Sequence, residues 1–186
     1  YYPTITQPGP TVLNRPHFLE EHALKRIFMK IEHIIEYISK KYSGLVTHKN
    51  WGEKGLFYNP ENRLKLGAYM LTFKEKDGIH DAASQVNRSS VQFRLNLKIS
   101  RDSFTKLFGA VPARPPAGGI VATGHDFTQL DEIMPHPVYG WMTWICVLNP
   151  SDSTIEKMAS LRLFDEAYAA AIDTFNKKAK RKLSCA

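Results

Sequence analysis

The 186-residue sequence predicts an α+β fold: a four-stranded, mainly antiparallel sheet with helices from the N- and C-terminal parts of the chain packed on one face. Three observations carry this expectation. Two long segments place apolar residues at the i, i+3, i+4, i+7 spacing of an amphipathic helix. Between them, "VQFRLNLKIS" alternates strictly, with Val91, Phe93, Leu95, Leu97 and Ile99 on one parity and Gln92, Arg94, Asn96 and Lys98 on the other. Further short runs of strand-forming residues end at Asn-Pro turns, and short turns favour antiparallel neighbours.

The elements follow in order. Residues 1–16, rich in Pro, Thr and Gly, read as an extended or disordered arm, and residues 17–182 as a single α+β domain. Asn14 can cap the first helix, with Pro16 in its first turn. Its apolar stripe runs through Leu24, Ile27, Ile31, Ile34, Ile35 and Ile38, His22 and His33 lie to the polar side, and Gly44 stops it. Leu56–Tyr58 and Ala68–Phe73 read as the first two strands, followed by a polar loop from Lys74 to Ser90. The alternating third strand stands Arg94, Asn96 and Lys98 in a row on its non-core face. Ser100 caps a short helix closed by Gly109, and a Pro/Gly-rich loop leads to the fourth strand, Tyr139 to Asn149. Both parities of that strand are apolar, which suits a central position. Ser153 with Glu156 forms a capping box for one last helix, whose stripe includes Phe164, Tyr168, Ala171 and Phe175.

Composition narrows the function classes. Apolar residues make up 43% and charged residues 23% of the chain, ordinary values for a globular protein. No apolar run reaches about 18 residues, so no membrane span is expected. The opening "YYPTITQPGPTV" lacks the basic and apolar regions of an intact signal peptide. It also lacks a starting Met, which leaves a removed leader open; a cytoplasmic location is the expectation. The two cysteines, Cys146 and Cys185, read as free thiols, and without a CxxC pair no structural zinc site is expected. The net charge of +7 favours anionic partners, although "NKKAKRK", Asn176–Lys182, also suits a solvated helix end.

"MPHPVYGWMTWICVLNP", Met134 to Pro150, carries the candidate chemistry. If one face of the fourth strand shares the side of Arg94, its aromatics and the Arg/Asn/Lys row line a small-ligand pocket. His136, flanked by prolines, is the candidate for acid-base work, with Asp131 as an orienting carboxylate. "HDFTQLDEIMPH", with His125, Asp126, Asp131 and Glu132, has no standard metal spacing. No GxSxG elbow, P-loop, GxGxxG or HExxH occurs.

Three readings follow. The first is a small-molecule pocket lined by Trp51, Arg94, Asn96 and Trp141. There Arg94 holds an anionic or carbonyl group and Asn96 orients it. Any catalysis runs through His136 and Tyr139 without metal or other cofactor. The second is a nucleic-acid-binding module using Lys98, Arg101, Lys177, Lys178, Lys180, Arg181 and Lys182. The third is a protein-interaction domain whose aromatics are all core. Whether the protein is an enzyme stays open, as does its oligomeric state.

"WGEKGLFYNP", "VQFRLNLKISRDSFTKLFG" and "LDEIMPHPVYGWMTWICVLNPSDSTIEKM" together resemble the family called domain of unknown function 6194, over roughly Glu32 to Lys178. The last segment is the specific one. The resemblance implies a compact α+β architecture and no established activity. That family in turn looks distantly like the MmcQ/YjbR-like proteins, described as DNA-binding-like, whose corresponding segment reads approximately Pro-Gly-Trp-His-x-Asn-Lys-Lys-His-Trp. Pro135 and Trp144 fit that frame. The Asn-Lys-Lys-His portion falls on Gly140, Trp141, Met142 and Thr143, all neutral. Phosphate contacts dominate nucleic-acid affinity, so this departure weakens the DNA reading.

Overall fold

Apolar residues three and four apart become helices that cover one face of a sheet, and alternating residues become its strands. A computed structural model describes residues 29–50 and 52–184. Helix α1, Ile31–Lys41, turns Ile31, Ile34 and Ile38 inward. Glu32 occupies its first turn and Lys40 and Lys41 its last, as the helix dipole favours. The arm, the Asn14 cap and the expected helix before residue 29 lie outside the described residues. Strands β1 (Leu45–Asn50), β2 (Glu53–Tyr58), β3 (Ala68–Lys74) and β4 (Arg94–Lys98) come next. They are followed by α2 (Arg101–Phe108), β5 (Met134–Pro135), β6 (Trp144–Leu148), α3 (Asp152–Ser160) and α4 (Leu163–Ser184).

The architecture is α+β, but the expected four-stranded sheet is overturned: the sheet has six strands, in the order β1-β2-β3-β4-β6-β5. Every neighbouring pair is antiparallel. The two additional strands are both sheet edges. Strand β1, "LVTHKN", has no buried residue, so it needs no apolar period; its register, Leu45↔Tyr58 through Asn50↔Glu53, comes from the ladder with β2. Strand β5 is two residues long, too short to show any period, and pairs with Cys146 and Ile145 of β6.

Two further boundaries differ from the sequence expectation. The strand expected over Tyr139–Asn149 begins only at Trp144. Gly140–Met142 forms a 3-10 turn and Thr143 takes a left-handed φ of 63°. Thr143 is held there by reciprocal bonds with Ile99. Its hydroxyl donates to the Ile99 carbonyl at 2.6 Å, and its own carbonyl accepts from the Ile99 N–H at 3.1 Å. The single last helix is two helices, broken where Arg162 takes a φ of 60°. The cap of α3 is Ser151, which accepts from the Thr154 N–H, rather than Ser153. Helix α2 has the expected boundaries, with Ser100 accepting from the Ser103 N–H and Gly109 at the C-cap.

One continuous core lies between the sheet and the helices. Ile34 and Ile38 of α1, Phe104 of α2, Met158 of α3 and Phe164 and Phe175 of α4 pack against Leu56, Leu71, Phe73, Leu95, Leu97 and Val147. Each such side chain contributes about 1.5–3 kcal/mol by leaving water. The alternation in β4 therefore sorts as read: Leu95 and Leu97 face the helices, and Arg94 and Asn96 face the other side. Two buried asparagines of Asn-Pro pairs tie the loops down. Asn59 exchanges bonds with the backbone of Leu64. Asn149 accepts from the Gln92 and Phe93 N–H groups and donates to the Ser90 carbonyl, fastening the end of β6 to the start of β4. Among the described residues no helix is long and apolar enough to cross a membrane.

Candidate functional site

Strand period and register build the site on the sheet face turned away from the helices. Thr72 and Lys74 of β3 lie opposite Asn96 and Arg94 of β4, and Asn96 lies opposite Cys146 of β6. Arg94 is wholly buried, the largest fully buried side chain among the described residues. A guanidinium has five N–H donors, and a buried one needs a partner for each. All five are matched. Nε donates to Asn96 Oδ1 at 2.8 Å. Nη1 donates to Asp81 Oδ1 at 2.9 Å and Ser84 Oγ at 3.0 Å. Nη2 donates to Asp81 Oδ2 at 2.6 Å and faces His136 Nε2 at 2.9 Å. Asn96 continues the chain by donating to Thr72 Oγ1 at 3.0 Å.

Asp81 and Ser84 reach Arg94 from the loop between β3 and β4. That loop is closed at its base by Asp77 and Asn87. The Asp77 carboxylate accepts from the Val86 and Asn87 N–H groups, and Asn87 Oδ1 accepts from the Asp77 N–H. Burial pushes the Asp81 carboxyl up. The bidentate bonds and charge of Arg94, joined by the charge of Lys74, outweigh it and hold the group at about 2. The Arg94 guanidinium is held above its ordinary value: burial opposes its charge, and the Asp81 bonds overcome it. Lys74, almost fully buried, places its ammonium 3.3 Å from Asp81 and 3.5 Å from Glu53.

His136 is also buried, and its surroundings supply donors only. Arg94 Nη2 faces Nε2, while the Val138 and Tyr139 N–H groups point at Nδ1 from 3.1 Å. The "HPVYG" segment folds this way because Pro137, which lacks an N–H, starts a turn in which the Gly140 N–H reaches back to the His136 carbonyl at 2.8 Å. A protonated ring would set two N–H groups against three donors; the neutral ring sets one, and with that proton on Nδ1 it leaves Nε2 to accept from Arg94. Burial first, and the Arg94 charge second, hold the imidazole well below its ordinary pKa, with Asp81 opposing; the ring is neutral.

Above this network opens a cavity of about 390 Å³. Lys74, Thr72, Asn96, Asp81 and His136 form its polar floor, and Glu53 stands to one side. Phe57, Tyr69, Trp144, Tyr139 and Met142 supply flat or apolar walls, with Phe57 and Tyr69 centroids 4.5 Å apart. Gly55 leaves room at one side, since a Cβ there would lie 2.9 Å from the Leu71 carbonyl and 3.0 Å from the Phe57 ring. Cys146 lies beneath, a free thiol that burial pushes up to about 12.

Arg94, Asn96, His136 and Tyr139 thus meet at one place, with the Tyr139 and His136 ring centroids 5.0 Å apart and their planes tilted by 39°. Trp141 does not line the cavity; its ring lies under the Arg114 guanidinium at 4.8 Å, because the 3-10 turn takes it off strand β6. Trp51 lies outside the described residues. Asp131 is bonded to the Ser151 N–H and hydroxyl at the start of α3, so the carboxylate joined to His136, through Arg94, is Asp81. The basic residues of the nucleic-acid reading do not gather here. Lys98 and Arg101 are exposed at the end of β4 and the start of α2. Lys177 pairs with Asp173, and Lys178 donates to the Gly67 carbonyl. Among the described residues no group of three His, Cys, Asp or Glu side chains gathers to hold a metal.

Sequence reasoning missed Thr72 and Lys74, although they alternate along β3 and their parity was readable. It missed Asp81, Ser84 and Glu53, which carry no local signal. The model of a family of unknown function, DUF6194, matches residues 29–180. No curated protein and no solved structure matches the chain.

Proposed function

The chain belongs to the DUF6194 family, and from its geometry we propose that it binds a small molecule in the cavity above Arg94. The observation that carries this is the buried Arg94–Asp81–His136–Asn96 network at the base of an aromatic-walled cavity. A buried ion pair is seldom more stabilising than apolar residues of the same volume, so stability alone gives little reason to keep one at the centre of a sheet. At the floor of a cavity it holds polar groups rigidly in place.

This reading gives Arg94 a positioning role. Its five donors are occupied, so it orients Asp81, Asn96 and His136, and contact with the ligand passes to Lys74, Thr72 and the aromatic walls. The catalytic form of the reading, a proton taken by His136 beside Tyr139, draws little support, because both ring nitrogens face N–H donors and burial and the Arg94 charge oppose the imidazolium. The nucleic-acid reading, to which the MmcQ/YjbR likeness belongs, has no such constellation behind it.

The test is a thermal shift of wild type and Lys74→Met against a metabolite panel and oligonucleotides at low and high salt. The expected result is a metabolite that raises the Tm of wild type at both salts and leaves the variant unmoved. Stabilisation by oligonucleotides alone, lost at high salt, would overturn the pocket reading.

A further inference from the structure

The cavity's charges, unmatched donors and wall shapes together limit what it can hold. Arg94 is balanced by Asp81, Lys74 by Glu53 and the second contact to Asp81, and Lys54, also in the lining, by Glu32 at 2.7 Å. His136 adds no charge. An anion brought to the Lys74 ammonium would meet two carboxylates already within 3.5 Å of that nitrogen. A cation would meet Lys74 itself, with Arg94 behind it. A neutral ligand meets neither repulsion.

The hydrogen-bonding groups left over are specific. Among the described residues Lys74 makes only those two long carboxylate contacts, so its N–H groups are available to a better-placed acceptor. The Thr72 hydroxyl accepts from Asn96, which leaves its own proton for a second acceptor. The Glu53 carboxylate, beside Lys74 and one-third exposed, can accept from a ligand N–H. A donor and an acceptor side by side match an N–H beside a C=O. Phe57, Tyr69 and Trp144 line the cavity with aromatic rings and Gly55 adds no side chain, a lining that suits a flat molecule.

Resting on the pocket reading, we propose that the ligand is an uncharged, planar heterocycle with a lactam edge, its C=O taken by Lys74 and its ring N–H by Glu53. Free heterocycles and the bases of a single strand share this chemistry.

Isothermal titration separates these cases. The probes are 2-quinolone, N-methyl-2-quinolone, quinoline-2-carboxylate and an oligothymidylate, whose bases carry the same edge on a strand. The lactam is expected to bind wild type. The N-methyl compound and the carboxylate should bind at least about tenfold more weakly, as follows from leaving a buried polar group unpaired. Lys74→Met should lose about tenfold for both 2-quinolone and its N-methyl form, which keeps the C=O, and Glu53→Ala should lose about tenfold for 2-quinolone and little for its N-methyl form. Glu53 stands at the rim, so its variant stays informative if Lys74→Met fails to fold. Oligothymidylate tighter than 2-quinolone would identify a strand as the source. A carboxylate that binds more tightly than the lactam overturns this inference and leaves the pocket reading standing. So does a metabolite from the panel that binds while all the probes fail. If neither probe nor metabolite binds, both fall together.

Discussion

Replacing Asp81 with Asn probes how the site is held. The carboxylate takes bonds of 2.9 and 2.6 Å from Arg94 and sits 3.3 Å from Lys74. Its pKa falls from the ordinary 3.8 to about 2. At about 1.4 kcal/mol per unit, that fall contributes about 2–3 kcal/mol to folding at neutral pH. The side chain is 18% exposed, so water screens little of this. A depressed carboxyl stabilises the fold above its unfolded pKa. The contribution is therefore complete above about pH 4 and drains away as pH falls toward about 2. The variant lacks the charge at every pH and leaves Arg94 uncompensated, and removing one partner of a buried pair costs about 3–5 kcal/mol. Urea unfolding followed by tryptophan fluorescence should show a loss of about 2–5 kcal/mol near neutrality. The gap to wild type should narrow by about 1 kcal/mol by about pH 3, and further below it. A loss under about 1 kcal/mol, or a gap constant from neutrality to about pH 3, would refute the claim that this pair is buried and charged.

Two other expectations concern the frame of the site. His136 is held well below 6.5, so the unfolded chain takes its proton first and wild-type stability falls as pH drops below about 6.5. His136→Gln, which keeps an acceptor for Arg94, should flatten that part of the urea-derived stability profile; an unchanged slope would mean the ring is not buried and neutral. Asn149, 1% exposed, bonds three backbone groups of residues 90–93. Asn149→Ala should cost at least about 2 kcal/mol by leaving them unpaired, and a loss in urea unfolding below about 1 kcal/mol would show that other groups or water replace them.

Several parts of this protein were legible in the sequence because they depend on local period or local chemistry. The stripe Ile31, Ile34, Ile38 made a helix, Ser100 and Gly109 bounded α2, and the alternation from Arg94 to Lys98 put two polar side chains on the face away from the helices. The proline-flanked His136 was singled out in the loop before the last strand, and it lines the cavity. Period failed where burial was absent or the element too short. Edge strand β1 has no apolar face to display, and β5 is too brief to alternate. It misled at Tyr139–Thr143, where apolar residues continue the strand pattern while the backbone takes a 3-10 turn and a left-handed residue, carrying Trp141 away to Arg114. The role of Arg94 lay beyond sequence. Its number of donors follows from its chemistry, but their partners arrive from separate places: Asp81 and Ser84 from a loop closed by Asp77 and Asn87, and His136 from a turn after β5. Side-chain direction repeats along a strand because the backbone repeats. Which loop folds back over that strand depends on closure and packing across the whole chain, and only the tertiary structure decided that Arg94 would be enclosed and Lys74 left facing the cavity.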